Sequence, residues 1–265
     1  MLLSELRKAP HLSSSSIGDY IECSLLYKFG RIDRLPPEYH SDALEFGSVI
    51  HLVLGDYYTE KQQGTKLTLK QVHELFERYW REAAEGNETI KYSNGTDYKS
   101  YLMQGCDLLT AWHNKLPDDN FKVMATEEAF SFSIPGIPIP IIGAMDLVEQ
   151  DGSSLIITDF KTAGRAYGAD EVDRNMQLTL YQLAAKANGY AGYDILLRFD
   201  CLIKTQKPKF EQYYTIRTEI DERRLIRKIH QVWEGISKQV FIPNDTSWKC
   251  HNCHYRKACD QWFLQ

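Results

Sequence analysis

The chain has no hydrophobic run approaching the length of a membrane span. It has no secretory leader at its start and no Gly-x4-Gly-Lys-Ser/Thr loop. It has no internal repeat or low-complexity tract. These absences argue in turn against an integral membrane protein, a secreted one, a fused nucleotide-driven motor and a solenoid. Basic excess is missing too, with 31 Lys+Arg against 36 Asp+Glu for a net charge of −5. A total of that sign disfavours tight, non-specific coating of a polyanion, although clustered cations matter more than the sum. What is present is apolar substance: 265 residues with 43% hydrophobic content can bury one substantial core, so a single soluble domain of cytoplasmic location is expected.

Helices come first along the chain. Ser13 to Ser16 predict the cap of a helix running to about Phe29, with Ile17, Tyr20, Ile21 and Leu25 on its apolar face and Cys23 inside it. Arg31 to His40, with Pro36 and Pro37, reads as a loop, and Asp42 as the cap of a helix burying Val49, Ile50, Val53, Leu54 and Tyr57 and carrying His51. Thr68 and Gln71 form a capping-box pair. Gly86 to Thr96 reads as a polar loop before a helix from about Asp97 to Leu116. Strands are expected over Val123–Ile134, Ile141–Glu149 and Ser154–Lys161. A helix over Asp170–Asn188, strands over Tyr193–Lys204 and Lys209–Arg217, and a helix over Asp221–Gln239 follow. The class is therefore α/β, a mixed sheet flanked by helices.

The chemistry concentrates at one turn. Gln150-Asp151-Gly152-Ser153 between apolar runs is a strong hairpin signal, and pairing the flanking strands brings Asp146 near Asp159, thirteen positions later. Side chains alternate along a strand, so Asp159 and Lys161 share a face while Phe160 points into the core. Two carboxylates suit Mg²⁺ or Mn²⁺, and a neighbouring ammonium can orient a water or offset phosphorane-like charge. Such a set is equipment for phosphodiester hydrolysis.

Four separated pieces, Phe46-Gly47-Ser48-Val49-Ile50-His51, Gly143-Ala144-Met145-Asp146, Asp159-Phe160-Lys161-Thr162 and Gln177-Leu178-Thr179-Leu180-Tyr181, stand in a telling order. In them the chain resembles the PD-(D/E)XK nucleases, and within these the RecB-like exonuclease branch, including CRISPR-associated RecB-like nucleases and AddB-type nuclease domains. The resemblance implies a restriction-endonuclease-like sheet in which His51, Asp146, Asp159 and the Phe160 carbonyl bind Mg²⁺ or Mn²⁺. It further implies that Lys161 is the catalytic lysine and that Gln177 and Tyr181, four apart on one helix face, border the site. The division that goes with it is a mainly helical wall over 1–120 including Cys23 and His51, a nuclease core over 121–218, and a C-terminal helix with a cysteine segment over 219–265. Glu128 is a further carboxylate that an outward strand position would keep away from the site.

Cysteine supplies the second constellation. Cys250, Cys253 and Cys259 stand in C-x2-C-x5-C spacing, which suggests a metal, and Cys23 lies far upstream. RecB-like nucleases with this split, one cysteine before the core and three after it, hold a [4Fe-4S] cluster, and the resemblance implies the same ligands here. Ser24 stands where many relatives place proline after the first cysteine. Zinc is the rival occupant, through the three local cysteines with His251 or His254. Disulfides are the bland reading, disfavoured where no leader precedes the chain. Cys106 and Cys201 read as packing residues.

Together these point to a metal-dependent DNA exonuclease, acting on single-stranded or free ends in recombination and repair, viral DNA processing or CRISPR adaptation. Lys204, Lys207 and Lys209, or Arg223, Arg224, Arg227 and Lys228, would meet the DNA. Two other classes compete: a non-catalytic adaptor subunit of a larger complex, binding DNA and stapled by iron-sulfur or zinc, and a structural zinc protein.

Overall fold

The computed structural model describes residues 2–93, 95–117 and 120–264. After a short α1 (Leu3–Leu6), Ser13 caps α2 (Ser14–Glu22) in a reciprocal box with Ser16. The expected single helix to Phe29 is broken: Cys23 is extended, at φ −158° and ψ 103°, and α3 (Ser24–Tyr27) resumes in a new direction before a π turn over Lys28–Ile32. The break coincides with tertiary contacts: Ser24 Oγ donates to the Ile242 carbonyl at 3.1 Å and the Asn244 amide donates to Cys23 Sγ at 3.4 Å, so the C-terminal segment docks where the helix turns.

A two-residue strand β1 (His40–Ser41) leads into α4 (Asp42–Gln62), with Ser41 rather than Asp42 at the cap position. The Asp42 carboxylate accepts from the Ala43 and Ser93 amides instead. Thr68 and Gln71 do form the capping box of α5 (Leu69–Ala84). Within the expected loop, β2 (Ile90–Lys91) pairs in parallel with β1, and Asp97 caps α6 (Tyr98–His113). Asn94, one of three Asn-x-Ser/Thr triplets, lies outside the described residues.

Five strands follow: β3 (Lys122–Phe132), β4 (Ile141–Asp151), β5 (Ser154–Ala163), β6 (Asp194–Ile203) and β7 (Lys209–Thr215), adjacent in that order. All neighbours are antiparallel except β5 and β6, which are parallel. That pairing needs a crossover. Two helices supply it, α7 (Ala169–Asp173) and α8 (Met176–Ala185), where one helix over Asp170–Asn188 was expected. Past β7, Thr218 caps α9 (Glu219–Ser237), and the cysteine segment closes the chain with a 3₁₀ turn at Trp248–Asn252 and α10 (Arg256–Trp262).

Each face of the sheet carries its own apolar layer. On one, Val148, Ile157 and Phe199 pack with Ile17, Leu178, Tyr181 and Ile229 of α2, α8 and α9. On the other, Leu147, Phe160 and Leu202 pack with Phe46, Ile50, Phe76 and Trp112 of α4, α5 and α6. A buried ionic network ties the end of α4 to the sheet: Lys61 Nζ lies 3.3 Å from Glu149 Oε1, and Arg198 bridges Glu149 at 2.9 Å and Asp200 at 2.8 Å. The result is a restriction-endonuclease-like mixed sheet flanked by helices, as the sequence led us to expect.

Candidate active site

The β4–β5 hairpin turns through Gly152 and Ser153, Gly152 taking the left-handed φ of 57° that this two-residue loop requires. Its ladder runs from Asp151↔Ser154 to Leu147↔Thr158 and stops there. Asp146 and Asp159, the next opposed pair, stand where the strands part. The Phe160 amide donates to Asp146 Oδ2 at 2.8 Å, so a carboxylate replaces the missing ladder carbonyl. Gly143 makes the approach of β3 possible, since a Cβ there would sit 2.5 Å from the Phe130 ring.

Asp159 is fully buried. Its Oδ1 accepts from the Tyr181 hydroxyl at 3.0 Å, and its Oδ2 lies 2.6 Å from Lys161 Nζ. Lys161 also donates to Gln177 Oε1 at 2.9 Å, and Gln177 Nε2 donates to the Tyr181 hydroxyl at 3.0 Å. The four side chains form a closed ring of contacts. From the other face of the sheet, α4 brings His51 Nδ1 to 3.3 Å from Asp146 Oδ2, and the Phe160 backbone reaches the same imidazole. The structure thus brings together His51, Asp146, Asp159, Phe160, Lys161, Gln177 and Tyr181.

Electrostatics assign forms to these groups. Burial, then the Asp159 charge, pushes the Asp146 carboxyl well up, with Glu127 adding to it. Burial pulls the Lys161 ammonium down, but the charge and hydrogen bond of Asp159, with Asp146 behind, outweigh it and leave it raised. Without a bound cation, these charges favour the ammonium form of Lys161. Burial lowers His51 despite Asp159, favouring the neutral imidazole that a metal takes. Burial and the two aspartates hold the Tyr181 hydroxyl far above its ordinary value, so it remains a donor.

Among the described residues, no three His, Cys, Asp or Glu side chains converge as a ready coordination sphere. At the hairpin, Lys161 stands against the Asp159 oxygen that would face an ion. The donor set nonetheless fits a hard divalent cation: two mutually repelling carboxylates, a neutral imidazole and a backbone carbonyl, crowded by more negative charge than one ammonium offsets.

Sequence reasoning weighed Glu128 and passed over Glu127. Glu128 is held by the Tyr190 hydroxyl at 2.9 Å, whereas Glu127, at φ 47°, is the acidic residue whose charge reaches Asp146. Tyr167 was also missed; its ring lies 5.4 Å from that of Phe199, over which Lys161 Nζ sits at 5.3 Å.

The model of the PD-(D/E)XK nuclease superfamily matches residues 11–260. The chain belongs to this superfamily. It is similar to the Gene 69 protein of Mycobacterium phage D29, at 25% identity over 95% of this chain and 97% of that one. Its fold is similar to the crystal structure of a "Putative exonuclease" from Eubacterium rectale, with TM-score 0.56 and 11% identity over 91% of this chain and 87% of the other.

This PD-(D/E)XK protein has a second cluster of metal-binding residue types. Cys23, Cys250, Cys253 and Cys259 all line one cavity of about 320 Å³, walled by Leu25, Leu26 and Phe29. Among the described residues they do not converge as a ready coordination sphere. Burial raises Cys253 and Cys259, and the other cysteines add to the rise. Two donors are aimed at sulfur, the Asn244 amide at Cys23 and the Arg256 guanidinium at Cys250 at 3.6 Å. His254 lines the cavity too. Cys201 is buried in the core, and burial pushes its thiol up to about 12 and that of Cys106 up to about 11, as befits packing residues.

Proposed function

We propose that this PD-(D/E)XK protein is a metal-dependent DNA exonuclease of the RecB-like branch, hydrolysing phosphodiester bonds at single-stranded ends. The observation that carries the reading is the placement of a cationic Lys161 against Asp159 where β4 and β5 separate, with Asp146 and His51 beside it. His51, Asp146, Asp159 and the Phe160 carbonyl would hold Mg²⁺ or Mn²⁺. When bound, such an ion supplies Lewis acidity and lowers the pKa of the attacking water. The imidazole favours Mn²⁺ over Mg²⁺. Lys161 meets the charge that builds on the scissile phosphate and orients the water by hydrogen bonding; Gln177 fixes the direction of its ammonium. Tyr181 holds the Asp159 carboxylate in one orientation from its other oxygen.

The basic segment after β6 supports a nucleic-acid substrate. Lys204 stacks its ammonium 5.4 Å over the Phe46 ring, and burial lowers it against the charge of Asp42, which is itself engaged with Ser93 and Ala43. A half-buried cation with no ion pair among the described residues is suited to a phosphate. Single-strand preference and end dependence rest on the resemblance to RecB-like nucleases, as do a recombination, viral or CRISPR setting and any protein partners.

The four cysteines would hold a [4Fe-4S] cluster as a staple with no redox duty. Iron and sulfide analysis of anaerobically purified protein, with visible absorbance, tests this; stoichiometric zinc would replace it by a zinc site. For the activity, end-labelled single- and double-stranded DNA is incubated with Mn²⁺ or EDTA. The reading predicts a Mn²⁺-dependent ladder from the ends of single strands, and no degradation of either substrate would refute it.

A further inference from the structure

The break between α7 and α8 is organised around one buried guanidinium, that of Arg217, between β7 and α9. Its Nε donates to Thr179 Oγ1 at 2.8 Å; Nη1 donates to Thr215 Oγ1 at 2.8 Å and the Ile216 carbonyl at 3.0 Å; Nη2 donates to the Val172 and Asn175 carbonyls at 2.8 and 3.2 Å. Every acceptor is a hydroxyl or a backbone carbonyl. The nearby carboxylates are used otherwise: Asp173 accepts from Thr215 at 2.7 Å, and Asp221 caps α9 through Thr218.

These acceptors are unusually placed. Val172 and Asn175 supply carbonyls at the helix break, and the Asn175 side chain caps α8 by accepting from the Leu178 amide at 3.1 Å. Thr179 also donates to the Asn175 carbonyl at 3.1 Å. Residues four apart lie on one helix face, and a residue midway between them points to the opposite side. Asn175 and Thr179 thus form the back of the first turn, and Gln177 stands on its front with Tyr181 one turn on. The front meets Lys161 and Asp159.

We propose that Arg217 is a positioning residue: by gripping the rear of this turn it sets where Gln177 holds the Lys161 ammonium. This rests on the nuclease reading, because it assigns Arg217 a share in the rate. Without the guanidinium, the buried Val172 carbonyl and the half-buried Asn175 carbonyl each lose one donor and keep only those of their own turn, so the turn is less firmly placed. Misplacement of a catalytic group by about 1 Å can cost on the order of a hundredfold.

The test is a double-mutant cycle with Arg217→Met, Gln177→Ala and both together, read as single-turnover cleavage at saturating DNA and Mn²⁺. Arg217→Met is expected to slow cleavage about ten- to a hundredfold with DNA affinity within about twofold, and the double variant to be no more than about twofold slower than Gln177→Ala alone. Losses that multiply, or an Arg217→Met rate equal to wild type, would overturn the proposal. Thr179→Val, which removes one acceptor while keeping side-chain shape, replaces Arg217→Met in the cycle should that variant not fold. Amide hydrogen exchange over 176–181 judges the grip independently of cleavage: Arg217→Met or Thr179→Val should speed it at least about tenfold, and Gln177→Ala should not. A wild-type protein that never cuts would sink the nuclease reading and leave exchange to decide the grip; unchanged exchange would overturn it.

Discussion

Asp146 and Asp159 face each other one step beyond the last pair of their ladder, and the site depends on that separation. A hairpin paired to its end would spend the Phe160 amide on β4; here the Asp146 carboxylate takes it. The closeness of this pair was legible in the sequence because a tight turn joins the two strands; the register was not, since the loop is Gly152 and Ser153 rather than Asp151 and Gly152. Glu127 was not legible. A register shift between Val123 and Ala125, and the left-handed backbone at Glu127, break the alternation by which strand faces are read. Tyr181 lends itself to a single-atom test. Tyr181→Phe removes the donor to Asp159 Oδ1 and keeps the ring, so single-turnover cleavage should fall about tenfold or more while the Phe130 edge contact, at 6.1 Å, holds the packing. A rate within twofold of wild type would show that the Asp159 orientation does not depend on this hydroxyl.

At the scale of elements, α4 is the member that joins the layers: it carries His51 to the hairpin and presents Phe46 and Ile50 to α5 and the sheet. Its existence was readable from periodicity and its caps only roughly, since Ser41 and not Asp42 precedes the first turn. The two helices expected to be continuous, at Cys23 and at Arg174–Asn175, are both interrupted, and at each break the chain meets partners more than forty residues distant in sequence, Ile242 with Asn244 and Arg217. No local propensity encodes such bonds. Close packing of α5 on α6 is equally hidden: a Cβ at Gly105 would lie 1.9 Å from the Phe76 ring. Gly105→Ala improves intrinsic helix propensity by about 1 kcal/mol, yet overpacking costs about 1–3 kcal/mol, so a lower melting temperature is expected. A variant that melts at or above wild type would show that Phe76 can move aside.

Across the molecule, the cysteine segment is sewn to two distant parts of the chain. It reaches Glu22, Cys23 and Ser24 on one side, where Asn244 Nδ2 donates to the Glu22 carbonyl at 2.8 Å. On the other it meets the stretch before α4: the Glu38 amide donates to the His254 carbonyl at 2.9 Å, the Tyr39 hydroxyl to the Asn252 carbonyl at 2.7 Å, and the Lys257 amide to Glu38 Oε1 at 2.7 Å. The spacing of the cysteines was readable; the docking onto 35–39, twelve residues before His51 at its near end, was not. With the proposed cluster in place, Cys253→Ser would lose iron and lower the melting temperature together, since metal binding and folding are linked at such sites. An unchanged melting temperature in the iron-free variant would reduce the segment to ordinary packing.

In the proposed site, Lys161 would act as a cation beside a divalent metal held by His51, Asp146 and Asp159. Its most direct test is Lys161→Ala measured beside wild type, with Mn²⁺ and single-stranded DNA binding followed by calorimetry and cleavage by single turnover. The account predicts that both ligands still bind and that cleavage falls by at least about a hundredfold. Cleavage at the wild-type rate would contradict it.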